Sequence, residues 1–106
     1  MASSKEYLDF ILEQLSDLEE MSYRPMIGEY ILYYRGKIIG GIYDNRLLLK
    51  PLKVVLDQLR QTRFERPYEG AKEMILIEDL EDKSFLARLI KEMYEVLPAP
   101  KVKKKA

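Results

Sequence analysis

Two groups of residues in this chain have types and spacing that could do chemistry. One is acidic: Glu78-Asp79 and Glu81-Asp82 set four carboxylates around a single Leu80. The other is aromatic and cationic: Tyr23, Arg24, Tyr33, Tyr34, Arg35, Lys37, Tyr43 and Arg46 fall in one short stretch. A calcium loop needs ligands at alternate positions and a mid-loop glycine, and the acidic group has neither. Helix capping accounts for it better, with Asp79 as N-cap and Glu81 and Asp82 in the first turn, where the helix dipole favours acids. The Tyr/Arg group has two chemical uses. Aromatics beside cations on a sheet can stack nucleic-acid bases, and the same residue types are enriched at the energetic centres of protein interfaces. A tyrosine also suits a half-buried pleated surface for packing alone.

Absences narrow the classes further. The chain has no histidine and no cysteine, which removes Ser-His-Asp and Cys-His catalysis, thiolate chemistry and conventional zinc sites. No phosphate loop or dinucleotide fingerprint occurs. The residues therefore point away from an enzyme, with no cofactor and no metal expected.

The elements that would position these residues follow from periodicity. Ser3-Ser4-Lys5-Glu6 has capping-box spacing with Ser3 as N-cap, and Leu8, Ile11, Leu12, Leu15 and Leu18 continue at helical spacing to about Glu20. From Tyr23 to Lys50 three apolar runs are separated by Arg35-Gly36 and Asp44-Asn45, the pattern of an antiparallel meander. Pro25 fits only an edge strand or a strand entry, and Gly28 lets the backbone turn. Gly40-Gly41 inside a strand implies close packing or a bulge rather than a phosphate cradle. Pro51 opens a short helix ending near Gln61, residues 62–71 connect, and 72–78 form one more strand, inside the sheet. Phe85, Leu86, Leu89, Ile90, Met93, Tyr94 and Leu97 give a last helix its apolar face, stopped by Pro98 and Pro100.

At 106 residues, 47% hydrophobic and 34% charged, the chain has ordinary globular composition and room for one domain. The expected division is a domain over 1–97 and a Pro/Lys-rich flexible tail over 98–106. No apolar run reaches the roughly 20 residues of a membrane span, and Met-Ala-Ser-Ser-Lys is no secretory leader, so the expectation is a cytoplasmic protein with no membrane partner. The zero net charge is patterned. Residues 1–20 and 67–100 are acidic, residues 21–66 are basic, and Lys101, Lys103, Lys104 and Lys105 end the chain. Acidic helices complementing a basic sheet is one reading, and a cationic surface for an anionic partner is the other.

The block Met26-Ile27-Gly28-Glu29-Tyr30-Ile31-Leu32-Tyr33, then Arg35-Gly36-Lys37 and Leu47-Leu48-Leu49-Lys50, resembles the N-terminal domain of the TfoX/Sxy family. Pro67-Tyr68-Glu69-Gly70-Ala71-Lys72-Glu73-Met74 looks like the segment before that family's last strand. Ile27 stands where the family usually has an aromatic, and Glu29 where it has a second glycine. Full-length regulators of the family carry a further helical domain, whereas this sequence continues into a lysine-rich tail, so the resemblance is to a stand-alone N-terminal domain. It implies a non-enzymatic protein related to bacterial regulators of natural competence, which act as transcriptional coactivators beside a DNA-binding partner.

The expectation is an α+β domain, an antiparallel sheet of about five strands covered by N- and C-terminal helices. The function expected is regulatory protein interaction, with the transcription machinery or a regulator as partner. Weak nucleic-acid binding through the basic Tyr/Arg-rich sheet and the tail is the alternative, and a homodimer through an exposed strand edge is a further option.

Overall fold

The computed structural model describes residues 3–98. Its elements run α1 (Lys5–Gln14), β1 (Met21–Met26), β2 (Glu29–Tyr34), β3 (Lys37–Ile42), β4 (Leu47–Leu49), α2 (Lys53–Leu56), β5 (Phe64–Glu65), β6 (Met74–Ile77) and α3 (Lys83–Val96). Among the described residues the sheet has six strands in the order β1-β2-β3-β4-β6-β5, every neighbouring pair antiparallel. The α+β architecture is the one expected. The sixth strand, β5, lies in what the sequence presents as a connection; its two residues pair with Ile75 and Met74 and close the far edge. The expected tail lies outside the described residues apart from Pro98.

Register is set by three two-residue turns. Ile27-Gly28, Arg35-Gly36 and Asp44-Asn45 all have positive φ, at 47° and 80°, 52° and 85°, and 54° and 55°. That is the primed turn geometry whose twist matches the strands it joins. Alternation then sorts the side chains. Leu32, Tyr34, Ile39, Ile42, Leu47, Leu49, Ile75 and Ile77 form one core with Leu8, Ile11, Leu15 and Leu18 of the N-terminal segment and Leu86, Leu89, Ile90 and Met93 of α3. Both helices therefore lie on the same face of the sheet.

The central glycines serve both packing and a bulge. Register shifts between Leu32 and Tyr33, where β3 carries the extra residue. A Cβ on Gly40 would sit 2.1 Å from the Leu48 carbonyl oxygen and 2.8 Å from Leu49 Cα, both backbone atoms of β4. On the other face the Tyr43 ring lies over Gly41, 2.6 Å from where its Cβ would be.

Several boundaries differ from the sequence expectations, each for a local reason. Ser4, not Ser3, caps α1: its hydroxyl accepts from the Tyr7 N–H at 3.0 Å, because Ser3 is buried and its hydroxyl is engaged elsewhere. The helix ends at Gln14 rather than near Glu20; turns carry Leu15 and Leu18 into the core, and Glu20, at φ 65°, swings the chain into β1. Asp82, not Asp79, caps α3 by accepting from the Phe85 N–H at 3.0 Å; a tight turn from Glu78 to Leu80 comes first and brings Leu80 against the core. The helix after Pro51 is shorter than expected, ending at Leu56.

Gly40→Ala tests the close approach of β3 and β4. With backbone on the receiving side no side chain can give way, so the variant should lose about 3 kcal/mol or more, the top of the overpacking range. The check is a lowered urea midpoint with unchanged slope.

Candidate functional site

The register assembles a second sheet face that carries no helix. Across it run Arg24, Ile31, Gly41, Leu48 and Leu76, paired strand to strand, with Ser22, Tyr33 and Ile38 alongside. One half of this face is roofed. Leu48 and Tyr43 are buried, Tyr68 packs on Tyr43 with ring centroids 6.2 Å apart, and Pro67 is buried beside them. The other half, from Arg24 through Ile31, Tyr33 and Ile38, is half-buried or exposed.

The eight Tyr/Arg-group residues do not form one surface. Arg24 and Tyr33 lie on the helix-free face, while Tyr23 and Tyr34 alternate to the helix-covered one. Tyr34 is in the core, edge-on to Tyr94 at 5.5 Å, and Tyr23 is edge-on to Tyr30 at 5.7 Å. Lys37 is committed to α3: its Nζ donates to the Tyr94 and Leu97 carbonyls, each at 2.8 Å, and lies 3.9 Å from the Tyr94 ring centroid. That places a cation on the helix C-terminus, where the dipole favours it. Arg35 lies over the Tyr34 ring, 3.5 Å from Glu20. Arg46 ties the β3–β4 turn to β5, its Nε donating to the Tyr43 carbonyl at 3.0 Å and its Nη1 to Glu65 at 2.6 Å. Glu65 also meets Arg63, which reaches Glu78. Arg35, Arg46, Lys53 and Arg63 of the basic middle segment are thus ion-paired. Arg24, Lys50, Arg60 and Arg66 have no ion pair among the described residues.

One feature the Tyr/Arg pattern did not indicate is the β1–β2 turn. Ile27 is 97% exposed and holds φ 47°, a conformation that costs an L-residue about 1–2 kcal/mol and suits a β-branched one least. The turn is braced from below. The Ser3 N–H donates to the Gly28 carbonyl at 3.0 Å, and the Ser3 hydroxyl donates to Glu29 Oε1 at 2.6 Å. Glu29 Oε1 also accepts from the Asp44 N–H at 3.1 Å. The Asn45 N–H donates to Ser3 Oγ at 3.0 Å, and Asn45 Oδ1 accepts from the Ser4 N–H at 2.9 Å. The sequence signal was Gly28 itself: a two-residue connection with Gly second leaves Ile27 at the other left-handed position.

Glu78, Asp79 and Asp82 of the acidic group line an open groove of about 600 Å³ with Arg60, Leu76 and Phe85. Asp82 is used as a cap and Glu78 is paired with Arg63. Among the described residues no group of three or more acidic, His or Cys side chains could hold a metal ion, and no helix is long and apolar enough to cross a membrane. A second cavity, of about 340 Å³, opens where β3 runs past the end of β4, lined by Tyr33, Gly36, Ile38, Lys50, Leu97 and Pro98, with Lys37 at its wall.

Comparison with known proteins bears on this geometry. Residues 13–97 match the TfoX N-terminal domain. A protein of Spirochaeta aurantia, named an uncharacterized 12.7 kDa protein in the trpE 5′ region, is 32% identical over 105 residues, covering 98% of this chain and 91% of that protein. No solved structure matches.

Two measurements probe the local chemistry. Ile27→Asn places a residue that tolerates left-handed backbone in the strained turn; it should stabilise the fold by about 1 kcal/mol, raising Tm by about 4–8 °C. A lower Tm would show that the turn is not strained. Burial, with the nearby Tyr68, Glu29 and Tyr33, raises the Tyr43 hydroxyl above its ordinary value of 10.0, and burial raises Tyr7 as well. The unfolded chain then loses these protons first, so stability is full below about pH 10 and falls as pH rises above it. Tyr43→Phe should reduce that alkaline loss in a Tm-against-pH series.

Proposed function

As the chain belongs to the TfoX N-terminal domain family, a regulatory rather than catalytic kind of domain, we propose that it is a regulatory protein-interaction module of the competence-regulator type. It acts by contact, without chemistry of its own, on a protein of the transcription machinery or a regulator. The observation that supports the reading is the half of the sheet face left without a helix. There Ile31, Tyr33 and Ile38 are held rigidly by paired strands, with Arg24 on the neighbouring edge strand. An apolar and aromatic centre with a cation at its rim is the composition of an interface core and its edge.

A second reading, weak nucleic-acid binding, is favoured by Lys50 beside Tyr33, cation next to aromatic, at the end of the same face. It is weakened by the internal engagement of Lys37 and Arg46.

Replacing Tyr33 and Ile31 together by Asp separates these readings, since both side chains lie off the helix-covered core. A deletion strain should show an altered transcript set that the native chain restores and the folded double variant does not. Unchanged transcripts on deletion would sink the regulatory reading. Duplex DNA affinity that falls steeply with salt, and is lost on Lys50→Glu, would favour the second.

A further inference from the structure

The turn bearing Ile27 has a counterpart at the other end of the sheet. The β1–β2 and β3–β4 turns share one end, since Ser3 bonds both Gly28 and Asn45. The β2–β3 turn, Arg35-Gly36, is at the opposite end, and beside it opens the 340 Å³ cavity lined by Tyr33, Gly36, Ile38, Leu97 and Pro98. One end therefore presents a rigid apolar knob, and the other an apolar notch with space for a branched aliphatic side chain.

Ile27 gains nothing inside its own molecule. It is 97% exposed, its backbone is held in a disfavoured region, and the hydrogen bonds of Ser3, Glu29 and Asn45 fix the turn that presents it. A strained, exposed aliphatic side chain on a braced turn is preorganised for burial against another surface. The charges at the two ends complement one another. Asp44, beside the knob, is exposed and has no ion pair among the described residues, and Lys50, at the notch, likewise has none.

We infer that the chain self-associates head to tail, Ile27 of one copy seating in the Tyr33/Ile38/Leu97 notch of the next, with Asp44 facing Lys50. Knob and notch are different patches at opposite ends of one sheet, so copies stacked end to end make a heterologous contact that repeats from copy to copy, whereas an antiparallel pair making two such contacts would close as a dimer. A dimer through the β1 edge is disfavoured by contrast: Pro25 cannot donate to a ladder and Arg24 lies beside it, both of them devices that guard an edge. This inference goes beyond the regulatory reading; the notch shares Tyr33 and Ile38 with the proposed interaction strip, but Ile27→Asn leaves that strip intact, so failure of the one is distinguishable from failure of the other.

The experiment is sedimentation velocity over a hundredfold concentration range on the full chain, Ile27→Asn, Ile38→Glu and Lys50→Glu. The native chain should grow past dimer with concentration, and Ile27→Asn and Ile38→Glu should each stay monomeric. Their equimolar mixture should form a dimer and stop there, because each variant supplies the surface that the other lacks. Lys50→Glu should weaken association at low salt. The Ile27→Asn result does not depend on a fragile variant, since that substitution relieves strain. A native chain that is monomeric throughout, one that halts at dimer, or an Ile27→Asn chain that still associates would each overturn the inference.

Discussion

Register is the constraint on which the rest of this molecule depends. In a sheet covered on one face, a slip of one residue turns every buried side chain outward. Here the register of β1 to β4 is held by three consecutive turns with both central residues left-handed. Two of them place Gly second, and the third uses Asp44-Asn45, residue types that tolerate such backbone. Fixing these turns determines which of the meander's tyrosines enter the core and which stay outside. The bulge at Leu32/Tyr33 and the glycines opposite then let β4 close to backbone contact.

Polar anchors at the two ends of the sheet hold the helices to it. At one end Ser3, Glu29 and Asn45 connect the start of α1 to two turns at once. At the other, Lys37 binds the last carbonyls of α3. Both arrangements satisfy backbone groups that a helix or turn would otherwise leave without partners. The Glu29 carboxylate is the hub of the first anchor. One side chain thereby connects the N-terminal segment to the β3–β4 turn.

The architecture was legible because it rests on local signals. Helical spacing marked α1 and α3, turn residues marked the meander, and the run from Met74 to Ile77, apolar on both faces, placed β6 inside the sheet. The two misplaced caps have one cause. Ser3 and Asp79 have capping chemistry, but a capping residue acts only where the backbone starts to coil, and tertiary demands moved each start. Ser3 was needed at Glu29, and Leu80 had to reach the core before α3 began. β5 is two residues long, too short for periodicity to reveal, and exists because β6 offers it an edge.

The candidate surface was less legible because composition does not record which way a side chain faces. Tyr33 and Tyr34 are adjacent in sequence and lie on opposite faces, one on the helix-free side and the other in the core. Arg46 and Arg24 look alike in a charge count, yet one is built into an ion-pair network and the other is not. The basic middle segment is therefore not a cationic face. Arg35, Lys37, Arg46 and Arg63 are engaged by Glu20, Glu65, Glu78 and the end of α3, while Arg24, Arg60 and Arg66 stay exposed at separate places. On the open half of the helix-free face, what points outward is mainly apolar and aromatic: Ile31, Tyr33, Ile38 and, at the tip, Ile27, with Arg24 at the edge. Such a surface gains little from the diffuse negative potential of a nucleic acid and more from the shaped apolar surface of another protein.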